Sequence, residues 1–169
     1  MKKIIVVTPT YNEEENVYNA YNTIKKLFNK INKYEYKHLF IDNCSTDKTQ
    51  DIIRKIAKDD KNILAIFNRQ NYGQNRSPFH AITQCYSDAV IYIDCDLQDP
   101  PEKILEFIDA WENGSKLVLG VKKSSKENKI IYKLREFYYG LLNLISTQKL
   151  QSNFCGFGLF DKKVVDFLR

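Results

Sequence analysis

Residues 3–17 read KIIVVTPTYNEEENV and predict a buried strand followed by a helix. The first six of these residues form a short, largely apolar run, as in strands that are covered on both faces. Apolar residues then recur at the spacing of one helix face, at Val17, Tyr21, Ile24, Phe28 and Ile31. The polar stretch TPTYNEEEN therefore lies where the strand ends and the helix begins.

The same alternation of strand and helix continues through the chain. Further strands are predicted at 38–42, 63–67, 89–94 and 116–121. Helical spacing of apolar residues follows the first three of these segments, and the helix at 101–113 starts on a proline. Strands that alternate with helices predict an α/β fold, a three-layer α/β/α sandwich around a mostly parallel sheet. Such a sheet binds ligands beyond the carboxyl ends of its strands.

Length and composition predict one compact, ordered domain over residues 1–169. Of the 169 residues, 43% are hydrophobic and 28% are charged, and glycines and prolines are few. Four cysteines without a CxxC spacing predict reduced thiols in a cytoplasmic protein. The N-terminus lacks the features of a secretory signal. Since no apolar stretch approaches the length of a membrane span, about 18 residues, any lipid contact is expected to be peripheral or to lie outside this chain.

The most informative segment is IDCDLQDPPEKI, residues 93–104, which ends the fourth predicted strand and continues beyond it. Side chains two residues apart in an extended chain point the same way, so Asp94 and Asp96 are expected to converge on one cation. Gln98 adds a neutral oxygen. Oxygen ligands with open positions for phosphates are typical of Mg²⁺ or Mn²⁺ sites. The alternative is that these acids cap the helix that begins at Pro101.

Four segments in order carry a resemblance to a known family: VVTPTYNEEENV, FIDNCSTDKTQDI, NRQNYGQN and IDCDLQDPPEKI. Together they resemble the family 2 glycosyltransferases, which have the GT-A fold, a Rossmann-like nucleotide-binding architecture. The stretch DCDLQDPPE is similar to the branch that makes polyprenyl-phosphate sugars, such as dolichyl-phosphate mannose synthase. The resemblance implies a metal-dependent, inverting enzyme that moves a sugar from a nucleotide-sugar donor, UDP- or GDP-linked, to a polyprenyl phosphate.

The resemblance also implies roles for individual residues. Donor-binding positions carry over to residues at the strand ends, which are Thr8, Pro9, Tyr11, Glu13, Asp42, Gly73, Gln74 and Asp94. The metal would be held by Asp94, Asp96 and Gln98, and Asp94 and Asp96 would form the catalytic pair. Gly73 and Gln74 open a helix whose amides would meet phosphate or sugar oxygens. The alternatives are a structured turn for Tyr11 and Glu13 and a plain turn glycine for Gly73.

Two departures from the family pattern concern the chemistry. Many relatives carry an Asp in a DFR-like segment, where this chain has Gly156-Phe157-Gly158. One account is that the catalytic base, which would deprotonate the acceptor, is Asp99, Glu102 or Asp161. The other is that the acceptor needs no base, because a phosphate monoester with a second pKa of about 6 is already ionised at neutral pH. We favour the second account. Asn43 stands where relatives often have an acid, and this difference alters the expected recognition of the nucleobase of the donor.

Positive charge is concentrated between Lys116 and Arg135, a stretch with seven basic residues and a single acid. The net charge of the whole chain is +5, so the rest of the chain is close to neutral. Overlapping this stretch, residues 123–146 predict a basic amphipathic helix. This pattern predicts a helix that lies on an anionic membrane surface. The resemblance implies that the segment borders the acceptor, with Lys122 and Arg135 as candidates for the acceptor phosphate. The alternative is a core-facing helix with a solvated side.

Relatives usually continue beyond the segment that matches residues 156–169, so we expect the chain to be truncated at its C-terminus. Membrane attachment and the contacts of a homo-oligomer would then lie in the missing part. Within the relatives' branch, the expected location is the cytoplasmic face of the membrane.

Four other functions fit the same residues less well. The first alternative is a glycosyltransferase that extends a cell-surface glycan of capsule, lipopolysaccharide or glycoprotein. A sugar-phosphate nucleotidyltransferase is disfavoured, because PTYNEEEN replaces its glycine-rich loop after the first strand. A non-catalytic nucleotide-sugar-binding module would agree with Gly156. No nucleic-acid partner is expected, since the basic residues accompany an apolar stripe.

Overall fold

The structure, a computed structural model, describes residues 1–121 and 154–169. Its strands are β1 (Lys3–Thr10), β2 (Glu35–Asp42), β3 (Ile63–Phe67), β4 (Ala89–Tyr92), β5 (Leu117–Val121) and β6 (Phe154–Asp161). The helices of the described residues are α1 (Val17–Ile31), α2 (Thr49–Asp59), α3 (Arg76–Thr83), α4 (Lys103–Glu112) and α5 (Lys162–Leu168).

The six strands form one sheet in the order β3-β2-β1-β4-β6-β5. Neighbouring pairs among β1 to β4 are parallel, and β6 runs antiparallel to β4. The predicted α/β fold with a mostly parallel sheet is therefore confirmed. The sequence does not predict β6, because FCGFGLFD contains two glycines, which disfavour a strand. This strand forms through its pairing with β4, where Tyr92 lies opposite Gly158.

Helices cover both faces of the sheet, which confirms the predicted three-layer sandwich. On one face, α1 and α2 pack with Phe40, a fully buried residue of β2. On the other face, α3 and α5 pack with Val7 of β1 and Ile41 of β2. Successive residues of a strand point to opposite faces, so a strand between two helical layers is apolar throughout. Burial of each such side chain contributes about 1.5 to 3 kcal/mol.

The chain divides into two compact units, the first formed by Met1–Leu119 with Gly156–Arg169 and the second by Gly120–Cys155. Most of the second unit lies outside the described residues, as do Lys122, Arg135 and the helix predicted at 123–146. Within the described ranges, the helices are too short or too polar to cross a membrane.

Candidate functional site

A cavity of about 570 Å³ lies at the carboxyl ends of the four parallel strands, and every residue that lines it belongs to the first compact unit. This is the edge at which parallel sheets bind ligands, and cavities for small molecules typically measure about 300 to 1,000 Å³. The lining residues are Pro9, Thr10, Tyr11, Glu13, Asn43, Asn71, Gly73, Gln74, Ser77, Pro78, Tyr92, Asp94, Cys95 and Asp96.

Most of the site residues that the sequence predicts lie on this lining. They are Pro9, Tyr11, Glu13, Gly73, Gln74, Asp94 and Asp96. Thr8, Asp42 and Gln98 are not among the lining residues. The structure therefore brings together residues from three separate loops but places three of the predicted side chains elsewhere.

The two aspartates of the cavity come from the turn that follows β4. The hydroxyl of Tyr92 donates a hydrogen bond of 2.6 Å to Asp94 Oδ1, and the backbone N–H of Gln98 donates one of 3.2 Å to Asp96 Oδ1. Leu97 has a φ of 52°, so the chain turns sharply directly after Asp96. Burial raises the pKa of Tyr92, and the hydrogen bond to Asp94 raises it further. The phenol therefore stays protonated and acts as the donor.

Asp94 and Asp96 alone are an incomplete set of metal ligands. Across residues 1–121 and 154–169, no group of three or more His, Cys, Asp or Glu side chains is arranged to hold a metal ion. Mg²⁺ usually combines one or two carboxylates with waters and substrate phosphates, so the two acids fit a metal that binds together with a phosphorylated ligand. Gln98, the predicted third ligand, has an exposed side chain outside the cavity lining.

Hydrogen bonds from the loop after β1 to the loop after β2 and to α2 hold Tyr11 and Glu13 at the cavity wall. Asn12, with a left-handed φ of 56°, accepts a hydrogen bond of 2.8 Å at Oδ1 from the backbone N–H of Thr46. The backbone N–H of Glu13 donates to Thr49 Oγ1 at 2.8 Å. Tyr11 remains 48% exposed, and an aromatic ring at such a position suits stacking with a base.

Asp42, which the resemblance assigns to the nucleoside, has no exposed surface. Its two oxygens accept hydrogen bonds from Ser45 N, Ser45 Oγ, Thr10 Oγ1 and Gln50 Nε2. A buried carboxylate must find such donors within the protein, because water cannot reach it. In this structure Asp42 joins β1, the loop after β2 (the second loop) and α2 behind the cavity wall.

Thr8 also lies behind the wall and not in the predicted pocket. Its hydroxyl is 2.9 Å from His38 Nε2, and neither residue has exposed surface. The reason is that β1 continues to Thr10, two residues beyond the predicted end, so Thr8 is an interior residue of the strand. Thr10 lines the cavity in its place.

Asparagine amides connect the second loop to the loop after β3 (the third loop), a role that the sequence did not predict. Asn43 Oδ1 accepts from Asn68 Nδ2 at 3.1 Å and from the N–H of Tyr72 at 2.9 Å, and Asn43 Nδ2 donates to Asn71 Oδ1 at 2.8 Å. Asn71 also accepts from the N–H of Gly73, whose φ of 88° suits a glycine. The concentration of asparagines in NRQNYGQN was the available signal.

The three acids considered as catalytic bases lie outside the cavity lining. Asp161 pairs with Ala89, the first residue of β4, and therefore lies at the opposite edge of the sheet. It caps α5 and accepts a hydrogen bond of 2.7 Å from Trp111 Nε1. Asp99 is buried, and Glu102 is exposed directly before α4.

Sequence comparison finds relatives whose names include bactoprenol or undecaprenyl phosphate. A bactoprenol glucosyl transferase of Shigella phage SfV is 34% identical over 168 residues, which cover 99% of this chain and 54% of that protein. An undecaprenyl-phosphate 4-deoxy-4-formamido-L-arabinose transferase of Photorhabdus laumondii subsp. laumondii is 31% identical over 134 residues, 79% of this chain and 41% of that protein. The chain thus spans about half the length of the curated relatives it matches.

Structural comparison finds the same fold in a crystal structure of glucosyl-3-phosphoglycerate synthase from Mycobacterium tuberculosis in complex with Mn²⁺, UDP and phosphoglyceric acid. The TM-score is 0.66 at 20% identity, over 96% of this chain and 56% of that chain. The fold is therefore that of the GT-A glycosyltransferases. Residues 5–169 match the family described as glycosyl transferase family 2, and the chain belongs to this family.

Proposed function

We propose that this chain forms the donor-binding and catalytic domain of a glycosyltransferase that moves a sugar from a UDP- or GDP-sugar to a polyprenyl phosphate. The observation that carries the proposal is the cavity in which Tyr11, Glu13, Asp94 and Asp96 meet at the carboxyl edge of a parallel sheet. The acceptor class is supported by two relatives, whose names state bactoprenol and undecaprenyl phosphate.

The nucleotide of the donor would lie against the loops that follow β1, β2 and β3. Tyr11 supplies an aromatic face of the kind on which bases stack. Thr10, Asn43 and Asn71 add hydroxyl and amide groups to the same cavity, and these groups suit base edges and ribose hydroxyls. The presence of UDP in the M. tuberculosis structure agrees with a nucleotide in this fold.

The diphosphate of the donor would lie near Asp94 and Asp96, which would hold Mn²⁺ or Mg²⁺ together with it. Such an ion, when bound, stabilises the diphosphate as it leaves the sugar. The chain's own contribution is to hold the two carboxylates in place, Asp94 through Tyr92 and Asp96 through the turn at Leu97. Mn²⁺ in the M. tuberculosis structure supports this choice of ion.

The acceptor phosphate would attack the sugar directly, with inversion and without a protein base. The acids considered for that role do not line the cavity, and Gly156 carries no side chain. A phosphate monoester, whose second pKa is about 6, is already an anionic nucleophile at neutral pH. We assign its binding to Lys122, Arg135 and the segment 123–146, which would contact anionic lipid at the cytoplasmic face of the membrane.

Thermal unfolding with UDP, GDP and their sugars, with and without Mn²⁺, tests the donor site. A ligand that binds only the folded protein raises the Tm. We expect the matching nucleotide to raise the Tm in Mn²⁺, and EDTA to remove most of this increase. Asp96→Ala should abolish the Mn²⁺-dependent increase and leave the Tm of the unliganded protein unchanged, because Asp96 is exposed. Asp109→Ala, which removes an exposed carboxylate of α4, is the matched control.

A nucleotide-induced increase that survives Asp96→Ala would contradict the metal assignment. Transfer assays with a short-chain prenyl phosphate and with free saccharides then test the acceptor. Transfer to saccharides alone would favour an enzyme that extends a glycan. Donor binding without transfer or hydrolysis, with either acceptor, would favour a non-catalytic module.

A further inference from the structure

Tyr92 is the last residue of β4 and precedes Asp94 by two residues, so the two side chains leave the strand on the same side. Both line the cavity, and the phenol donates its 2.6 Å hydrogen bond to Asp94 Oδ1. Hydrogen bonds to an ionised carboxylate are shorter and stronger than those between neutral groups. The phenol therefore restricts the orientation of the Asp94 carboxylate.

The space for the Tyr92 ring is provided by β6. Gly156 has a φ of +86°, and a Cβ at this position would lie 3.1 Å from Tyr92 Cε1. That distance is shorter than an ordinary carbon contact of about 3.5 to 4.0 Å, so a side chain at 156 would press on the ring. Tyr92 and Gly156 are therefore complementary, because the large ring from β4 lies against a glycine of β6.

We propose that Tyr92 is a positioning residue of the transfer reaction, which holds Asp94 in the orientation that binds the metal and diphosphate of the donor. This inference rests on the proposed function. It also gives a physical reason for the glycine at 156, where the resemblance leads one to expect an acid nearby. The ring of Tyr92 lies where a side chain at 156 would begin.

Tyr92→Phe tests the proposal, because the ring stays against Gly156 and only the hydroxyl is lost. We expect the Mn²⁺ concentration that gives half of the nucleotide-induced rise in Tm to increase about tenfold, since loss of a partner of a metal ligand typically weakens metal binding about ten- to a hundredfold. Nucleotide stabilisation and kcat should return toward wild type in saturating Mn²⁺. A purely structural role would lower the Tm of the unliganded protein without moving the Mn²⁺ dependence.

Tyr34→Phe is the matched control. It removes a similar bond, 2.5 Å from Tyr34 Oη to Glu112 Oε1, and neither residue lines the cavity. The control should leave the Mn²⁺ requirement unchanged. The proposal is overturned if Tyr92→Phe requires no more Mn²⁺ than Tyr34→Phe while Asp96→Ala still abolishes the nucleotide effect. If Asp96→Ala leaves that effect intact, the metal assignment of the proposed function fails, and this inference fails with it.

Gly156→Ala tests the contact between Tyr92 of β4 and Gly156 of β6 by a change on β6. The added methyl group should displace the Tyr92 ring and raise the Mn²⁺ requirement, and the same change should add little in a Tyr92→Phe background, because the hydroxyl is already absent. A double-mutant cycle measures this coupling. Fully additive effects on the Mn²⁺ requirement would show that Gly156 does not act through Tyr92. If Gly156→Ala does not fold, the comparison of Tyr92→Phe with Tyr34→Phe decides the proposal alone.

Discussion

Thr8 Oγ1 and His38 Nε2 lie 2.9 Å apart in the core of the sheet, where both residues are fully buried. The ring of His38 packs on Phe40 with 4.1 Å between centroids, and His38 Nδ1 is buried without a hydrogen-bond partner in the described part of the chain. Desolvation by burial lowers the pKa of His38 to about 3. The imidazole is therefore neutral in the folded protein at ordinary pH.

This neutral histidine predicts a loss of stability in mild acid. Its pKa of about 3 in the folded state lies below the unfolded value of about 6.5, so below pH 6.5 the unfolded chain binds a proton that the folded chain does not. The free energy of unfolding should fall as the pH falls through this window, by up to about 1.4 kcal/mol per pH unit from this group. Urea unfolding at pH 7, 6 and 5 measures the slope.

His38→Phe should flatten that slope, even if the variant is less stable at pH 7, because the titrating group is gone. His80→Phe removes an exposed imidazole and is measured in parallel as the surface comparison. An unchanged slope in His38→Phe would show that other groups cause the acid sensitivity.

Asp42→Asn should lower the free energy of unfolding by about 2 kcal/mol, because the new amide group would face donors that the carboxylate now satisfies. Asp51→Asn, on the exposed side of α2, is the control and should change stability little. Urea unfolding measures the difference. Unchanged stability combined with lost nucleotide binding would instead place Asp42 in contact with the nucleoside, as the resemblance implies.

Asn43→Asp restores the residue type that relatives often carry, yet it should weaken this protein. An aspartate cannot donate to Asn71 Oδ1, so two acceptors would face each other across the second and third loops. We expect a loss of about 1 to 2 kcal/mol and a smaller nucleotide-induced rise in Tm. Asn29→Asp, on the exposed face of α1, controls for the added charge. A larger rise in Tm with nucleotide would contradict the assigned role of Asn43 as a link between loops.

Gly158→Ala should destabilise the sheet by about 1 to 3 kcal/mol through overpacking, because a Cβ there would lie 2.7 Å from the carbonyl oxygen of Val118. Gly114→Ala is the informative comparison. Gly114 has open space around it and a φ of +105°. The substitution there should therefore lower the free energy of unfolding through backbone conformation alone, by about 1 to 2 kcal/mol. When Gly158→Ala is combined with a substitution in β5, the effects on the free energy of unfolding should be coupled, because the added methyl group contacts Val118 of that strand. When Gly114→Ala is combined with the same substitution, the effects should be additive. Equal coupling would contradict the steric account.

Local patterns predict much of the candidate site. Pro9, Tyr11, Glu13 and the two acids after β4 reach the cavity because the carboxyl ends of parallel strands meet at one edge. The position of Thr8 was predicted wrongly, because it depends on the residue at which β1 ends. β1 continues to Thr10, so Thr8 faces the core and Thr10 takes its place at the cavity.

Apolar periodicity and turn residues act over a few neighbours. Local patterns therefore predict the alternation of strands and helices, the parallel part of the sheet and the loops that carry the site. Tertiary structure alone decided that β6 joins β4 antiparallel, that Asp42 is enclosed by four internal donors, and that Tyr92 meets Gly156. The β4–β6 pairing, the hydrogen bond from Thr10 to Asp42 and the contact of Tyr92 with Gly156 join residues far apart in the chain. Their energies come from burial and hydrogen bonding that exist only once the strands have paired.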